Sequence, residues 1–292
     1  MNENSKINAW QYYWSQKSHT AGNVATETET LPLCEFWAAL QPHVSRSTRL
    51  LELGCGDKTL FPMTQASSQK LHVALDVSLS ALQNNISAMT RICASGNQSL
   101  PIRPSSMDLI VSQFGVEYFG LSALKDLTEY LRPNGAVALI CHHRGSVIYK
   151  NYLNHREALA ALDQQNFWEL LAQKLNRQTY DVSDQVRTLE LILKNFGEAS
   201  CGGLILLIKD QLSQFEPTAS DAISLETWLK DVHIATQSYA DLVESMIASA
   251  LTKSQLDEVE NLWTRRGFKV TITGIRAGAG SLATSILAQK AS

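Results

Sequence analysis

The fold is decided by Leu51-Glu52-Leu53-Gly54-Cys55-Gly56-Asp57, in which a short apolar run stops at two glycines and an acid stands on each flank. Glycines let the backbone approach a ligand closely, and a helix that follows offers unpaired amide groups at its N-terminus. The segment therefore predicts a strand-to-helix turn that grips a nucleotide-like cofactor. The alternative is a simple turn, because turns of many kinds contain glycine.

A second acid supports the cofactor interpretation. Asp76 lies 24 residues after Glu52 and follows the next apolar run, 71–75. A carboxylate at the end of a second strand can accept hydrogen bonds from both hydroxyls of a ribose. We therefore predict that Asp76 and its neighbour Val77 bind the cofactor. The alternative for Asp76 is that it only caps the following helix.

Strand and helix patterns alternate along the first half of the chain. Short apolar runs predict strands at 49–53, 71–75, 89–94, 107–112 and 136–141. Helices are predicted between the first two strands, after an N-cap at Ser78, and at 121–131, where Arg132-Pro133-Asn134-Gly135 ends the helix. From 146 to 266 the apolar spacing is helical, and the strand-like runs 268–275 and 282–287 flank Ala277-Gly278-Ala279-Gly280.

This order predicts a doubly wound α/β fold. We expect a mostly parallel, seven-stranded, Rossmann-like sheet with a helical insert before its last two strands. The predicted domains are a cofactor-binding α/β part at 1–145, a helical insert or lid over the acceptor site at 146–260, and the end of the last helix with the final two strands at 261–292. The ligand crevice then lies at the carboxyl ends of the strands.

Composition narrows the classes of partner. A net charge of −3 gives no basic field, so a nucleic-acid partner is not expected. The five cysteines are scattered without a C-x-x-C pair, which argues against a disulfide framework and a zinc site. The polar first residues and the absence of a long apolar stretch predict a cytoplasmic chain without a membrane span.

Three further marks follow in order along the chain: Ser99-Leu100-Pro101, Asp108 at the start of the fourth strand, and Leu131-Arg132-Pro133-Asn134-Gly135. With this set the chain resembles the class I S-adenosylmethionine-dependent methyltransferases, especially the branch that acts on small molecules. The resemblance covers 49–141 and, more loosely, 262–290. It departs from the family's acidic-x-Gly-x-Gly-x-Gly pattern at Lys58, which replaces the third glycine.

The resemblance implies that S-adenosylmethionine is the cofactor and S-adenosylhomocysteine the product, with no metal expected. It also implies the role of each part of the site. The methionine end is assigned to Glu52, Gly54 and Gly56, the ribose to Asp76, the border of the adenine to Gly96, Asn97 and Gln98, and the place beneath the sulfonium to Ser112, Gln113 and Phe114.

Methyl transfer needs alignment, and it needs a base only when the acceptor holds a proton. The candidates that follow the fourth and fifth strands are Glu117, Tyr118, His142 and His143. An imidazole titrates in the useful range, although a histidine after a strand is often a structural hydrogen-bonding group. Glu117 could equally be a solvated acid.

An aromatic cluster near the N-terminus consists of Trp10, Tyr12, Tyr13 and Trp14. It either closes over the cofactor, packs against acceptor rings, or simply docks onto the core. The sequence does not distinguish these interpretations.

We therefore predict transfer of a methyl group to an oxygen, nitrogen or carbon of a small or medium-sized acceptor. One alternative is an NAD(P)-dependent oxidoreductase, which predicts Gly-x-Gly-x-x-Gly, whereas Thr59 stands three residues after Gly56. A second is a non-catalytic member of the methyltransferase fold, which Lys58 leaves open. Methyltransferases of this fold that modify nucleic-acid bases carry an Asn-Pro-Pro-Tyr segment after the fourth strand, and this chain has Ser112-Gln113-Phe114-Gly115 there. A protein acceptor stays an alternative, and the oligomeric state is not predicted.

Overall fold

A computed structural model describes residues 3–16, 27–45, 48–61, 71–85, 90–95, 99–176, 181–198, 200–214, 222–278 and 280–290. Its centre is a seven-stranded sheet with the order β3-β2-β1-β4-β5-β7-β6. The strands are β1 Arg49–Leu53, β2 Leu71–Asp76, β3 Thr90–Cys93, β4 Met107–Gln113, β5 Leu131–Cys141, β6 Phe268–Ala277 and β7 Gly280–Lys290.

The first five strands are parallel, and β7 runs antiparallel to both β5 and β6. This confirms the predicted doubly wound α/β fold. The strand order reverses between β1 and β4, since the chain continues from β1 to β2 on one side and returns to β4 on the other. Such a switch point is where open α/β sheets bind ligands, at the carboxyl ends of the strands.

The central strands are buried on both faces because their sequences are continuously apolar. In β1, Leu50, Leu51 and Leu53 have no exposed surface, and Ile110 and Val111 of β4 are equally buried. The sheet is therefore a rigid base for the turn that leaves β1.

Short helices surround this base. The helices before the insert are α1 Glu3–Gln16, α2 Glu27–Leu40, α3 Leu79–Asn84 and α4 Gly120–Asp126. Ser78 caps α3 as predicted, because its hydroxyl accepts a hydrogen bond from the N–H of Ala81 at 3.2 Å. The predicted continuation of α3 to Met89 and most of the predicted helix between β1 and β2 lie outside the described residues.

The sequence prediction for 121–135 was wrong in its bounds. Helix α4 ends at Asp126, a 3₁₀ turn covers Leu127–Tyr130, and β5 begins at Leu131 rather than Ala136. Leu131 pairs with Met107 and Ala136 with Leu109, so four residues of β5, 132–135, lie opposite the single residue Asp108 of β4 before regular pairing resumes. The pairing of Leu131 with β4 therefore starts the strand before the predicted turn, and the turn residues form an irregularity within β5.

Between β5 and β6 the described residues are mainly helical, as predicted. The helices are α5 Val147–Gln164, α6 Phe167–Asn176, α7 Ser183–Phe196, α8 Leu204–Ser213, α9 Ala222–Ser249 and α10 Lys253–Arg265. Helix α10 starts at a capping box formed by Thr252 and Gln255. None of the helices in the described ranges is long and apolar enough to cross a membrane.

The chain divides into two compact units. The sheet unit contains the described residues of 10–16, 25–150 and 245–292. The helical unit contains those of 1–9 and 151–244. Its buried apolar side chains, which recur at helical spacing, include Leu159, Leu162, Phe167, Leu171, Leu189, Ile205 and Ile208.

Candidate functional site

The glycine turn after β1 is anchored to β2 and packed against the segment after β4. The N–H of Gly54 donates to the carbonyl of Leu75 at 2.8 Å. Gly54 and Gly56 have φ angles of +61° and +58°, which L-residues with a side chain rarely adopt. A Cβ on Gly54 would lie 2.6 Å from the Cα of Gly115. Both the backbone conformation and the close packing therefore require glycine at position 54.

Asp76 holds the second half of this turn. Its carboxylate accepts hydrogen bonds from the N–H of Gly56 at 2.9 Å and from the N–H of Ser78 at 2.8 Å, one on each oxygen. Burial raises the pKa of Asp76, and the backbone hydrogen bonds partly oppose this shift. Val77, which stands between Asp76 and Ser78 in the sequence, is half-buried. Because a carboxylate oxygen has two lone pairs, Asp76 can still accept the hydroxyls of a ribose.

Glu52 is buried and directed toward the residues that follow the turn. Its two oxygens accept a hydrogen bond from the N–H of Leu60 at 2.9 Å and from the hydroxyl of Thr59 at 2.6 Å. The Nε2 of His72 lies 3.1 Å from the same oxygen that Thr59 contacts. Glu52 thus shapes the chain after the turn, a positioning effect that its place in the motif did not reveal.

Ser112 connects β4 to the turn from within the core. Its hydroxyl donates to the carbonyl of Leu53 at 2.7 Å and accepts from the N–H of Val116 at 2.9 Å. The side chain has no exposed surface. Ser112 therefore supports the site through the backbone, whereas Gln113 and Phe114, the next two residues, are half-buried.

Gln113 is bound by a residue that the sequence did not single out. Trp37 of α2 donates its indole N–H to the side-chain oxygen of Gln113 at 2.6 Å. The Trp37 ring also packs edge-on against Phe61, with centroids 5.8 Å apart. No local pattern links Trp37 to β4, because the contact joins distant parts of the sequence.

Glu117 and His142 form a buried pair at the carboxyl ends of β4 and β5. One oxygen of Glu117 accepts the backbone N–H of His142 at 2.9 Å and lies 2.7 Å from its Nδ1. The other oxygen is buried without a hydrogen-bond partner in the part of the chain that the structure describes. This contact places the proton of the neutral imidazole on Nδ1 and leaves Nε2 as the basic nitrogen.

Phe114 covers one face of this imidazole. The two rings are stacked, with centroids 4.3 Å apart and an angle of 25° between their planes. Phe114 adopts a φ of +55°, which is strained for a residue with a side chain. Glu117 at the edge and Phe114 on the face thus fix the orientation of His142.

His143 has a different environment. Its Nδ1 accepts the N–H of Gly145 at 3.1 Å, so its Nε2 carries the proton and donates to the hydroxyl of Ser281, 2.9 Å away. Partial burial lowers the pKa of His143, and the nearby His142 lowers it further. Both ring nitrogens are therefore engaged by the protein.

The aromatic part of α1 lies against the turn. A Cβ on Gly56 would lie 2.6 Å from the ring of Trp14. Trp10 packs edge-on against Tyr118, with centroids 5.1 Å apart. Gln11, which the sequence did not single out, accepts a hydrogen bond from the hydroxyl of Ser78 at 3.2 Å. The cluster thus contacts the proposed cofactor loop itself.

Three residues predicted to border the adenine, Gly96, Asn97 and Gln98, lie outside the described residues. Lys58 is exposed. Within the described ranges, no group of three or more His, Cys, Asp or Glu side chains is placed to hold a metal ion.

Comparisons with known proteins show what this domain is similar to. Residues 51–139 match the family model of the methyltransferase domain. A protein of Schizosaccharomyces pombe described as an uncharacterized methyltransferase is 29% identical over 120 residues, which are 40% of this chain and 48% of that protein. The chain thus spans about half the length of this curated relative.

A solved structure shares the architecture. The plantazolicin methyltransferase BpumL, in complex with S-adenosylhomocysteine, gives a TM-score of 0.50 at 10% identity and covers 99% of this chain and 97% of its own. An S-adenosylmethionine-dependent methyltransferase from Mesorhizobium loti is 20% identical, covers 37% of this chain and 52% of its own, and gives a TM-score of 0.31. The likeness to the first of these concerns the fold alone.

Proposed function

We propose that the chain contains a class I S-adenosylmethionine-dependent methyltransferase domain, which moves the cofactor's methyl group to an oxygen, nitrogen or carbon of a small or medium-sized acceptor. One observation carries this proposal. Gly115 packs against Gly54 of the turn, while the preceding residue, Phe114, stacks on His142. The dipeptide Phe114-Gly115 therefore contacts both the proposed base, through Phe114, and the proposed cofactor loop, through Gly115.

The residues around the turn fit the cofactor. Gly54 and Gly56 allow the tight, positive-φ turn, Asp76 has lone pairs for ribose hydroxyls, and Gln113 and Phe114 stand at the end of the adjacent strand. When bound, S-adenosylmethionine supplies an electrophilic methyl group on a sulfonium. The protein then has to align the acceptor and exclude water, since the displacement itself needs little covalent assistance.

We assign the base to His142 for acceptors that carry a proton, such as hydroxyls or amines. Its Nε2 takes the proton, and Glu117 stabilises the resulting imidazolium through Nδ1. Glu117 is thus a positioning residue, since its bonded oxygen is directed to His142. His143 is the weaker candidate because its described partners, Ser281 and Gly145, include no carboxylate that could stabilise an imidazolium.

We further propose that the helical segment 146–260 selects the acceptor. The support is its place in the chain, because α5 begins shortly after β5 has delivered His142 to the site. Substitutions on these helices are expected to change the choice of acceptor while the affinity for the cofactor stays the same.

Calorimetry with S-adenosylmethionine and S-adenosylhomocysteine tests the proposal. We expect the wild-type chain to bind both, and Asp76→Ala to abolish binding because the turn and the ribose lose the same carboxylate. Formation of S-adenosylhomocysteine is then measured with a panel of small hydroxyl, amine and carbon acceptors, with His142→Gln as the variant that binds but does not transfer. Absence of cofactor binding by the wild type would refute the proposed function.

A further inference from the structure

We propose that Trp37 orients Gln113 so that its amide NH₂ group donates hydrogen bonds to the methionine carboxylate of the cofactor. The inference rests on the proposed function, since it names how one end of the proposed cofactor is recognised. It assigns Trp37 as a positioning residue and Gln113 as a binding residue.

The orientation of Gln113 follows from the chemistry of its partner. An indole N–H is a donor only, so it must face the amide oxygen rather than the amide nitrogen. The distance of 2.6 Å to the Gln113 oxygen shows this pairing. Trp37 is itself held, because only 7% of its surface is exposed and its ring packs against the fully buried Phe61. The two N–H donors of Gln113 are therefore presented in a fixed direction.

Gln113 lies next to the glycine turn. It is the last residue of β4, and β4 pairs with β1, which leads into the turn. The flanking residues touch the turn directly: Ser112 donates to the carbonyl of Leu53, and Gly115 packs against Gly54. Gln113 is thus placed where the methionine end of the cofactor is proposed to bind.

The charges around the turn decide which group these donors serve. The nearby acids Glu52, Asp57 and Asp76 accept hydrogen bonds and carry negative charge when ionised. They suit the ammonium group and the ribose hydroxyls of the cofactor, but they repel its carboxylate. A carboxylate there needs donors, and the fixed amide of Gln113 supplies two of them.

The experiment measures binding of two ligands by calorimetry on the full chain. One ligand is S-adenosylhomocysteine, and the other is S-adenosyl-3-thiopropylamine, which is the same molecule without the carboxylate. We expect Gln113→Leu to weaken S-adenosylhomocysteine binding about tenfold to a hundredfold, as for a hydrogen bond to a charged group. Gln113→Glu keeps an acceptor for Trp37 but opposes the carboxylate with a second negative charge, so it should weaken binding more. Gln113→Leu should bind the amine analogue as the wild type does, and Gln113→Glu should bind it at least as tightly.

Trp37→Phe tests the positioning role. It keeps a ring against Phe61 but loses the N–H, so Gln113 is no longer held, and we expect a smaller loss, about threefold to tenfold, again only for the ligand with the carboxylate. Gln289→Glu is the matched control for charge. Gln289 is exposed and pairs with Ala136. This pair lies toward the amino end of β5, away from the carboxyl ends of the parallel strands that form the site.

The remaining outcomes of the binding experiment would overturn either this inference or the proposed function. Equal losses for both ligands, or no loss in the Gln113 variants, would overturn the inference while leaving the proposed function intact. If Lys58→Ala weakened S-adenosylhomocysteine binding and the Gln113 variants did not, the carboxylate would be assigned to the exposed Lys58. That result would also overturn the inference. Failure of the wild type to bind either ligand would instead refute the proposed function.

Discussion

A single oxygen of Glu117 accepts the backbone N–H of His142 at 2.9 Å and lies 2.7 Å from its imidazole Nδ1. Two contacts to one oxygen fix both the start of the loop after β5 and the direction of the ring. Both residues are buried, at 3% and 5% exposure, so water competes little for this pairing. The proposed base, His142, is therefore oriented before an acceptor arrives.

Glu117→Gln is expected to separate transfer from binding. The amide oxygen can still accept the two N–H groups, but the negative charge that stabilises the imidazolium is lost. We expect the rate of methyl transfer to a hydroxyl or amine acceptor to fall about a hundredfold. The measurement is the initial rate of S-adenosylhomocysteine formation, compared with calorimetric binding of the same compound, which should stay within about twofold. Equal loss of binding would show that Glu117 supports the loop rather than the base.

His143→Gln is expected to leave transfer nearly unchanged but to alter the pH dependence of stability. The folded-state pKa of His143 is lowered, so the unfolded chain binds its proton more readily. The stability contributed by neutral His143 is thus present above the unfolded pKa and is lost as the pH falls through about 6.5 toward the lower folded pKa. The variant should lose less stability than the wild type between pH 7 and pH 5, measured by urea unfolding. A steeper loss in the variant would contradict this assignment.

Gly54→Ala is expected to remove cofactor binding and to destabilise the sheet unit. A methyl group there meets backbone at Gly115, in addition to the cost of a positive φ. Gly267→Ala is the control, because Gly267 has a φ of +82° but open space around a Cβ. The control should lose only about 1–2 kcal/mol of unfolding free energy and retain binding. Urea unfolding and calorimetry measure the two effects, and similar results for both variants would refute the role of close packing.

Trp14→Ala is expected to weaken S-adenosylhomocysteine binding about tenfold, since the ring covers Gly56 and shields the turn from water. Ser15→Ala, on the same helix but exposed, should leave affinity unchanged. Calorimetry compares the two variants. Tighter binding by Trp14→Ala would mean that the indole competes with the ligand. Unchanged binding would mean that the aromatic cluster only docks onto the core.

Local signals along the chain predicted most of the fold. The apolar run ended by Gly54 predicted β1 and its turn, and Ser78 predicted the start of α3. These features depend on neighbours within a few residues, so periodicity and capping chemistry are sufficient to predict them. The segment from Leu131 failed because its pairing with Met107 joins residues from two separate elements.

The residue types of the candidate site were readable from their places at strand ends, but their roles were not. Glu117 and His142 were separate candidates in the sequence, and only the parallel pairing of β4 with β5 makes one the orienting partner of the other. Gln113 had no predicted partner until α2 brought Trp37 to it.

Glycine, capping residues and apolar periodicity act over a few residues, so the chain alone specifies a doubly wound sheet with a glycine turn after its first strand. Which side chains share a hydrogen bond depends on distances between elements that sequence spacing does not encode. The pairs Glu117–His142, Trp37–Gln113 and Trp14–Gly56 therefore arise only when the sheet brings its strand ends and the N-terminal helices together.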